Sequence, residues 1–219
     1  MNQPLIPPGG VRFTALGPSA GTISAPRPAL FLDRDGVLVE EAEYLHRVED
    51  LALLPGAAEL IAAARASGLA VALVSNQSGI ARGMYGWDAY DAVEAEIDRR
   101  LAAVGAVVDA RAACCFHPDH TPGWGKTHEF WRKPGPGMLL LAAQALGADP
   151  ARSWMVGDMA TDAAAARAAG LAGSIHVATG HGPAHRAAAL EHAAPGFEVV
   201  PVPGLDGALA ALRQRGVLR

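Results

Sequence analysis

Ala29-Leu30-Phe31-Leu32-Asp33-Arg34-Asp35-Gly36 sets a four-residue apolar run directly against two carboxylates and a glycine. A short, unbroken apolar run bounded by turn residues predicts a strand buried on both faces. Residues 69–74 repeat the form and end in Ser75-Asn76-Gln77-Ser78-Gly79, and residues 153–156 end in Gly157-Asp158. Residues 111–116, 174–177 and 197–202 are further candidate strands. Between them the pattern predicts helices over 56–67, 87–104, 138–146, 161–169 and 206–213. The second carries Tyr90, Val93, Ile97, Leu101 and Val104 at helical spacing. Two-sided strands alternating with helices predict an α/β fold, a doubly wound parallel sheet. Ligands of such sheets bind beyond the carboxyl ends of the strands. Asp33 and Asp35, Ser75 and Asn76, and Asp158 all fall there, so segments distant in sequence are expected to converge on one site.

The rest of the chain frames that domain. Residues 1–28, with Pro7-Pro8-Gly9-Gly10 and Pro26-Arg27-Pro28, predict an irregular leader, the alternative being a lid or partner-binding arm. Residues 29–214 form the expected domain, with a long Gly-, His- and Pro-rich loop at 117–136. Only one helix and one strand fill the stretch from Asp35 to Ser75, which leaves no room there for a large cap domain. Of the 219 residues, 51% are hydrophobic and 18% charged, enough for a full core. A net charge of −4 gives no general attraction to nucleic acid or anionic membranes. The two cysteines, Cys114 and Cys115, are adjacent, which suits neither a bridge between them nor a secreted disulfide scaffold. With no apolar segment of signal or membrane-spanning type, a cytoplasmic protein acting as a monomer is expected.

Two carboxylates at a strand end resist joint ionisation unless a cation is present. Mg²⁺ fits that need, since it takes a few carboxylates together with water and phosphate oxygens. Asp158 is the natural third ligand beside Asp33 and Asp35. One of the paired carboxylates is then a candidate nucleophile toward phosphorus, the other a general acid and base. Gly36 permits a sharp turn next to the reacting group. Ser75, Asn76, Gln77 and Ser78 offer hydroxyl, amide and backbone donors for phosphate oxygens. Arg132 and Lys133 supply a forked and a point cation. Asp162 is a candidate for support behind the metal or for the first turn of a helix, where an anion is favoured. Each cluster alone also fits an ordinary solvated turn.

Taken in order, a strand-end Asp-x-Asp, a strand-end Ser, a Lys and a strand-end Gly-Asp-x-x-x-Asp resemble the four motifs of the haloacid dehalogenase-like phosphatase superfamily. The resemblance covers about residues 29–180. Phe31-Leu32-Asp33-Arg34-Asp35-Gly36, the run from Ser75 to Gly83, and Arg132-Lys133-Pro134 are similar to the heptose 1,7-bisphosphate 7-phosphatase branch, itself related to histidinol-phosphate phosphatases. The resemblance implies a Mg²⁺-dependent phosphomonoesterase acting on a small phosphorylated metabolite. Asp33 is implied as nucleophile, Asp35 as acid and base, Ser75 and Lys133 as phosphoryl stabilisers, Arg132 as substrate reader and Asp158 as metal ligand. Glu41 and Tyr44 match the substrate loop, with Glu41 where the branch has Asp.

The branch often holds structural zinc through Cys-x-His and Cys-x-Cys. Here Cys115-Phe116-His117 keeps the first half, while Glu129-Phe130-Trp131 replaces the second. A tetrahedral site needs four such donors, so zinc is not expected, and Trp124, Phe130 and Trp131 are expected to pack the loop instead. The competing functions are a histidinol-phosphate phosphatase and, from another class, a phosphate-binding module without turnover.

Overall fold

The computed structural model describes residues 5–15 and 26–219. Strand β2 (Ala29–Leu32) is buried along its whole length. Leu30 and Leu32 belong to one apolar cluster, Ala29 and Phe31 to the other. Alternate residues of a strand face opposite sides, so a strand covered on both sides must be apolar at every position. The same holds for most of β3 (Ala70–Asn76), and all of β5 (Trp154–Gly157) and β6 (Gly173–Val177) is buried. With β1 (Val11–Ala15), β4 (Ala110–Cys114) and β7 (Glu198–Val202) they form a seven-stranded sheet in the order β1-β4-β3-β2-β5-β6-β7. Every pairing is parallel except β1 with β4. The chain steps from β2 to β3 on one side and later returns to β5 on the other, so the switch point lies at the end of β2.

Helices α1 (Ala57–Ala66), α3 (Trp87–Ala103) and α8 (Leu205–Gln214) cover one face, and α5 (Gly137–Leu146) and α6 (Ala160–Ala168) the other. In α3, Val93, Ile97 and Leu101 make one buried stripe. Full burial of such side chains contributes about 1.5–3 kcal/mol each. Among the described residues no helix is long and apolar enough to cross a membrane.

Three elements depart from expectation. Within the leader, Val11–Ala15 pairs antiparallel with β4 instead of being irregular. Its Val11 packs into the α5-side cluster, and Phe13 packs against it; the neighbouring prolines and glycines hide this short alternation. Residues 1–4 and 16–25 of the leader lie outside the described residues. The long loop contains α4 (Lys126–Trp131), anchored by buried Trp131. Helix α7 (Gly182–Leu190) follows β6 and buries only Gly182 and Ala189, so it carries no large apolar period to read. The short α2 (Ser78–Ala81) begins inside the expected polar loop Ser75–Gly79, and the remaining helices and strands match their predicted positions to within two residues.

Candidate active site

The ends of β2, β3 and β5 open into a cleft of about 630 Å³ lined by Asp33, Ser75 and Lys133 together with loop residues. Asp33 continues the strand ladder, its amide donating to Val156 O at 3.0 Å. Its Oδ1 accepts from the Arg34 amide at 2.7 Å and pairs with Lys133 Nζ at 2.9 Å. Neither contact uses Oδ2. Lys133 is 2% exposed, and its ammonium also meets Asp162 Oδ1 at 2.6 Å and donates to Val74 O at 2.9 Å. All three ammonium protons are thereby engaged. Burial pulls the ammonium toward neutrality, but Asp162 and Asp33 outweigh it and raise its pKa. Lys133 is held in place by Asn76, whose side-chain amide donates to Lys133 O and accepts from Lys133 N, both at 3.0 Å. Asn76 therefore clamps the lysine's backbone.

Asp158 lies at the end of β5. Its Oδ2 accepts from the His181 amide at 2.7 Å, while its buried Oδ1 has no hydrogen-bond partner. Gly36 and Gly180, both at positive φ, bring the backbone against this carboxylate, and a Cβ on either would stand 2.4 Å from Oδ2. Burial, then Asp162, pushes Asp158 up to about 7. Asp33 is also raised by burial, against the pull of Lys133, with Asp162, Asp158 and Asp35 adding to the rise.

Asp33, Asp158 and Asp162 are the described acidic groups whose oxygens lie within 4.8 Å of one another. Three carboxylates face one ammonium. That excess of negative charge, together with the unpartnered Asp158 oxygen, fits a hard divalent cation with oxygen ligands. Asp162 has both oxygens engaged, Oδ2 accepting from Met159 N at 3.0 Å, which suits support behind the ion.

The Asp35 carboxylate stands outside that cluster. Residues two apart share a side only on extended chain; here the strand has ended and the backbone turns, with Leu38 N and Val39 N both bonded to Arg34 O. Asp35 instead receives Arg34 Nε at 3.1 Å and Nη2 at 2.9 Å, Gln77 Nε2 at 3.0 Å and Ser75 Oγ at 3.4 Å. Gln77 is buried and accepts from Tyr85 OH at 2.6 Å. Ser75 and Gln77 thus surround Asp35, while Ser78 lines the cleft.

The mouth is made of loops. Glu41 and Tyr44 lie half-buried on one side, with Glu43 and Tyr44 at positive φ. Burial, then Asp35, raises Glu41, and His181 faces it at 3.6 Å. Arg132, donating to Phe116 O at 2.8 Å, and Arg82 line the cleft as well. Arg82 meets His117 Nε2 at 2.9 Å and His120 Nε2 at 3.0 Å and lies over the Tyr44 ring. Arg82, Arg34, Tyr85 and His181 received no role from the sequence. Arg82 could have been found, since it lies within the run from Ser75 to Gly83.

Cys115 and His117 belong to no described group of three or more metal-binding side chains. Burial, then Arg82 and Arg132, lowers the His117 pKa, which favours its neutral ring. The loop packs through aromatic contacts: His128 stacks on Trp124 and meets Phe116 edge-on, and Phe130 meets Trp131 edge-on.

A HAD-hydrolase-like family model matches residues 130–202. A D-glycero-D-manno-heptose-1,7-bisphosphate 7-phosphatase of Thermosynechococcus vestitus is 45% identical over 175 residues, 77% of this chain and 87% of that protein. A D-glycero-beta-D-manno-heptose-1,7-bisphosphate 7-phosphatase of Vibrio cholerae is 41% identical over 154 residues, 70% of this chain and 83% of that one. Among solved structures, D,D-heptose 1,7-bisphosphate phosphatase from B. bronchiseptica, complexed with magnesium and phosphate, superposes with a TM-score of 0.73. It is 32% identical, over 86% of this chain and 99% of that one.

Proposed function

The chain belongs to the haloacid dehalogenase-like phosphatases, and from that premise we propose that it removes the 7-phosphate of D-glycero-D-manno-heptose 1,7-bisphosphate through an aspartyl-phosphate on Asp33. The observation that carries the mechanism is the Asp33–Lys133–Asp162 bridge beside the unpartnered oxygen of Asp158. It fixes one oxygen of Asp33 and leaves Oδ2 for attack.

Asp33 Oδ2 bonds to phosphorus, and the bond to the sugar oxygen breaks. That oxygen takes the proton of the Asp35 carboxyl group as it leaves. Asp35, now a carboxylate, accepts a proton from water as the water attacks phosphorus, which frees Asp33 and inorganic phosphate. Asp33 and Asp158 would hold Mg²⁺, with Asp162 behind. The ion would offset the charge of the carboxylates and of the phosphoryl oxygens. Lys133 opposes the upward shift that burial gives Asp33 and orients its carboxylate. Ser75 supports Asp35 and lines the phosphoryl end of the cleft.

The relatives' names support the heptose substrate, and the mouth adds a reason of its own. Arg82 and Arg132 have no carboxylate within ion-pair reach among the described residues. Two such guanidiniums at the entrance suit a substrate with a second anionic group. The test is phosphate release from a panel including the heptose bisphosphate and histidinol phosphate, with Mg²⁺. The bisphosphate should give the highest kcat/KM, and Asp33→Asn should lower kcat by more than about 10³-fold. Undiminished turnover in that variant would sink the mechanism; preference for histidinol phosphate would sink the substrate.

A further inference from the structure

Arg34 takes no part in the steps above, yet it heads the fully buried side chains by volume, at 1% exposure. A buried guanidinium must be paired and hydrogen-bonded to be tolerated. Its partners divide into two sets. Nε and Nη2 fork onto Asp35, while Nη1 donates to Glu94 Oε1 at 3.2 Å. Nη2 also reaches Gln77 Oε1 at 3.1 Å, and the guanidinium lies over the Tyr90 ring. Glu94 is on α3 and is itself buried, its Oε2 paired with Arg111 Nε at 2.7 Å; Arg111 in turn grips Asp98 through two nitrogens. A line of alternating charge therefore runs from the cleft wall to the partly exposed carboxylate of Asp98.

The alternation of β2 accounts for this line. Phe31 and Asp33 face the side of α5 and α6, where Lys133 and Asp162 stand. Leu32 and Arg34 face the side of α3, where Tyr90 and Glu94 stand. In the first two residues past the strand, Asp33 and Arg34 thus give the two sheet faces opposite charges.

We propose that Arg34, clamped by Glu94, is a positioning residue that fixes the Asp35 carboxyl group for proton transfer. This rests on the reading of Asp35 as acid and base. Glu94 alone would neutralise Arg34. The fork to Asp35 adds two bonds that set the rotation of a side chain otherwise held only by Gln77 and Ser75. A reacting group misplaced by about 1 Å can cost about 10²-fold in rate.

Glu94→Gln loosens the clamp while keeping its shape, and Arg34→Lys removes the fork while keeping the charge. Single-turnover phosphorylation is measured on two substrates: the heptose bisphosphate, whose alkoxide needs a proton to leave, and 4-nitrophenyl phosphate, whose phenolate does not. Glu94→Gln should slow the alkyl substrate about tenfold or more and the burst of 4-nitrophenol less than about threefold. Arg34→Lys should show the same asymmetry more strongly. Equal loss on both substrates, or no loss on either, in folded Glu94→Gln protein overturns the proposal. Asp35→Asn separates the two readings: if it still turns over the alkyl substrate, the acid–base assignment has failed. If it is inactive while Glu94→Gln is symmetric, only the positioning role has failed.

Discussion

The inner end of the cleft and its mouth are both charged, but they are built by opposite means. At the inner end, Asp33 and Asp158 directly follow strands, and Lys133 is tied by Asn76 and by three oxygens at 2.6–2.9 Å. Asp158 and Asp162 are each 1% exposed. At the mouth, Arg82 and His120 are exposed and the contacts run loop to loop. Buried charges depend on one another, because removing one strands the rest without water; exposed contacts are worth about 0–1 kcal/mol and are replaceable. Substitutions at the inner end should therefore change both chemistry and stability, and substitutions at the mouth only substrate binding.

The sharpest attempt to break that contrast is Lys133→Met. It leaves Asp33, Asp158 and Asp162 together with no cation among them. The metal-free protein should lose about 3–5 kcal/mol of stability at neutral pH in denaturant unfolding. Turnover should fall about 10²–10³-fold. A stable, active variant would mean that the inner end is not held by its charges.

A second effect is smaller and reports the carboxylates alone. Asp158 titrates at about 7 in the folded chain against 3.8 for an unperturbed carboxyl. Asp33 is shifted the same way. Between those values the folded state binds more protons than the unfolded one, so metal-free stability falls as pH rises through that window. A divalent cation requires the ionised form and relieves the repulsion. The rise in Tm on adding Mg²⁺ should therefore grow from about pH 5 to about pH 8. A rise that is constant with pH, or absent, would place the ion away from these carboxylates.

The two ends were also unequally legible in the sequence. An apolar run that stops at a polar cluster marks a strand end, and the strand ends bring Asp33, Ser75 and Asp158 together. For Lys133 and Asp162 the residues alone left alternatives open, and the resemblance of the ordered motifs to the family decided between them. The position of Asp35 was not legible, because the period of a strand says nothing once the backbone turns after Arg34. Arg34 itself faces the side opposite Asp33 and meets Glu94 on α3, a contact 60 residues away in sequence that no local pattern encodes. Asn76 and Gln77 looked like phosphate donors, yet one clamps Lys133 and the other supports Asp35. An amide's partner is set by packing, not by its neighbours in sequence. Edge strand β1 and helix α7 escaped for a related reason: β1 is a short alternation between prolines and glycines, and α7 has almost no buried large side chain.

The smallest expected effect lies at the mouth and tests the other half of the contrast. Arg82 donates to two imidazole nitrogens, and for His117 the ring is held toward its neutral form. Such contacts use the hydrogen-bonding capacity of the guanidinium without cancelling its charge. The charge stays available to an anionic group entering the cleft. Arg82→Ala should raise KM for a bisphosphorylated substrate about threefold to tenfold and leave kcat within about twofold, the signature of binding lost equally from ground and transition states. Because the site is solvated, the difference from wild type should shrink as ionic strength rises past about 0.15 M, where the Debye length is near 8 Å. The melting temperature should stay essentially unchanged, since no buried group loses a partner. If Arg82→Ala instead lowers kcat as severely as Lys133→Met, the mouth takes part in the chemistry, and the division between a charge-locked interior and an adjustable entrance fails.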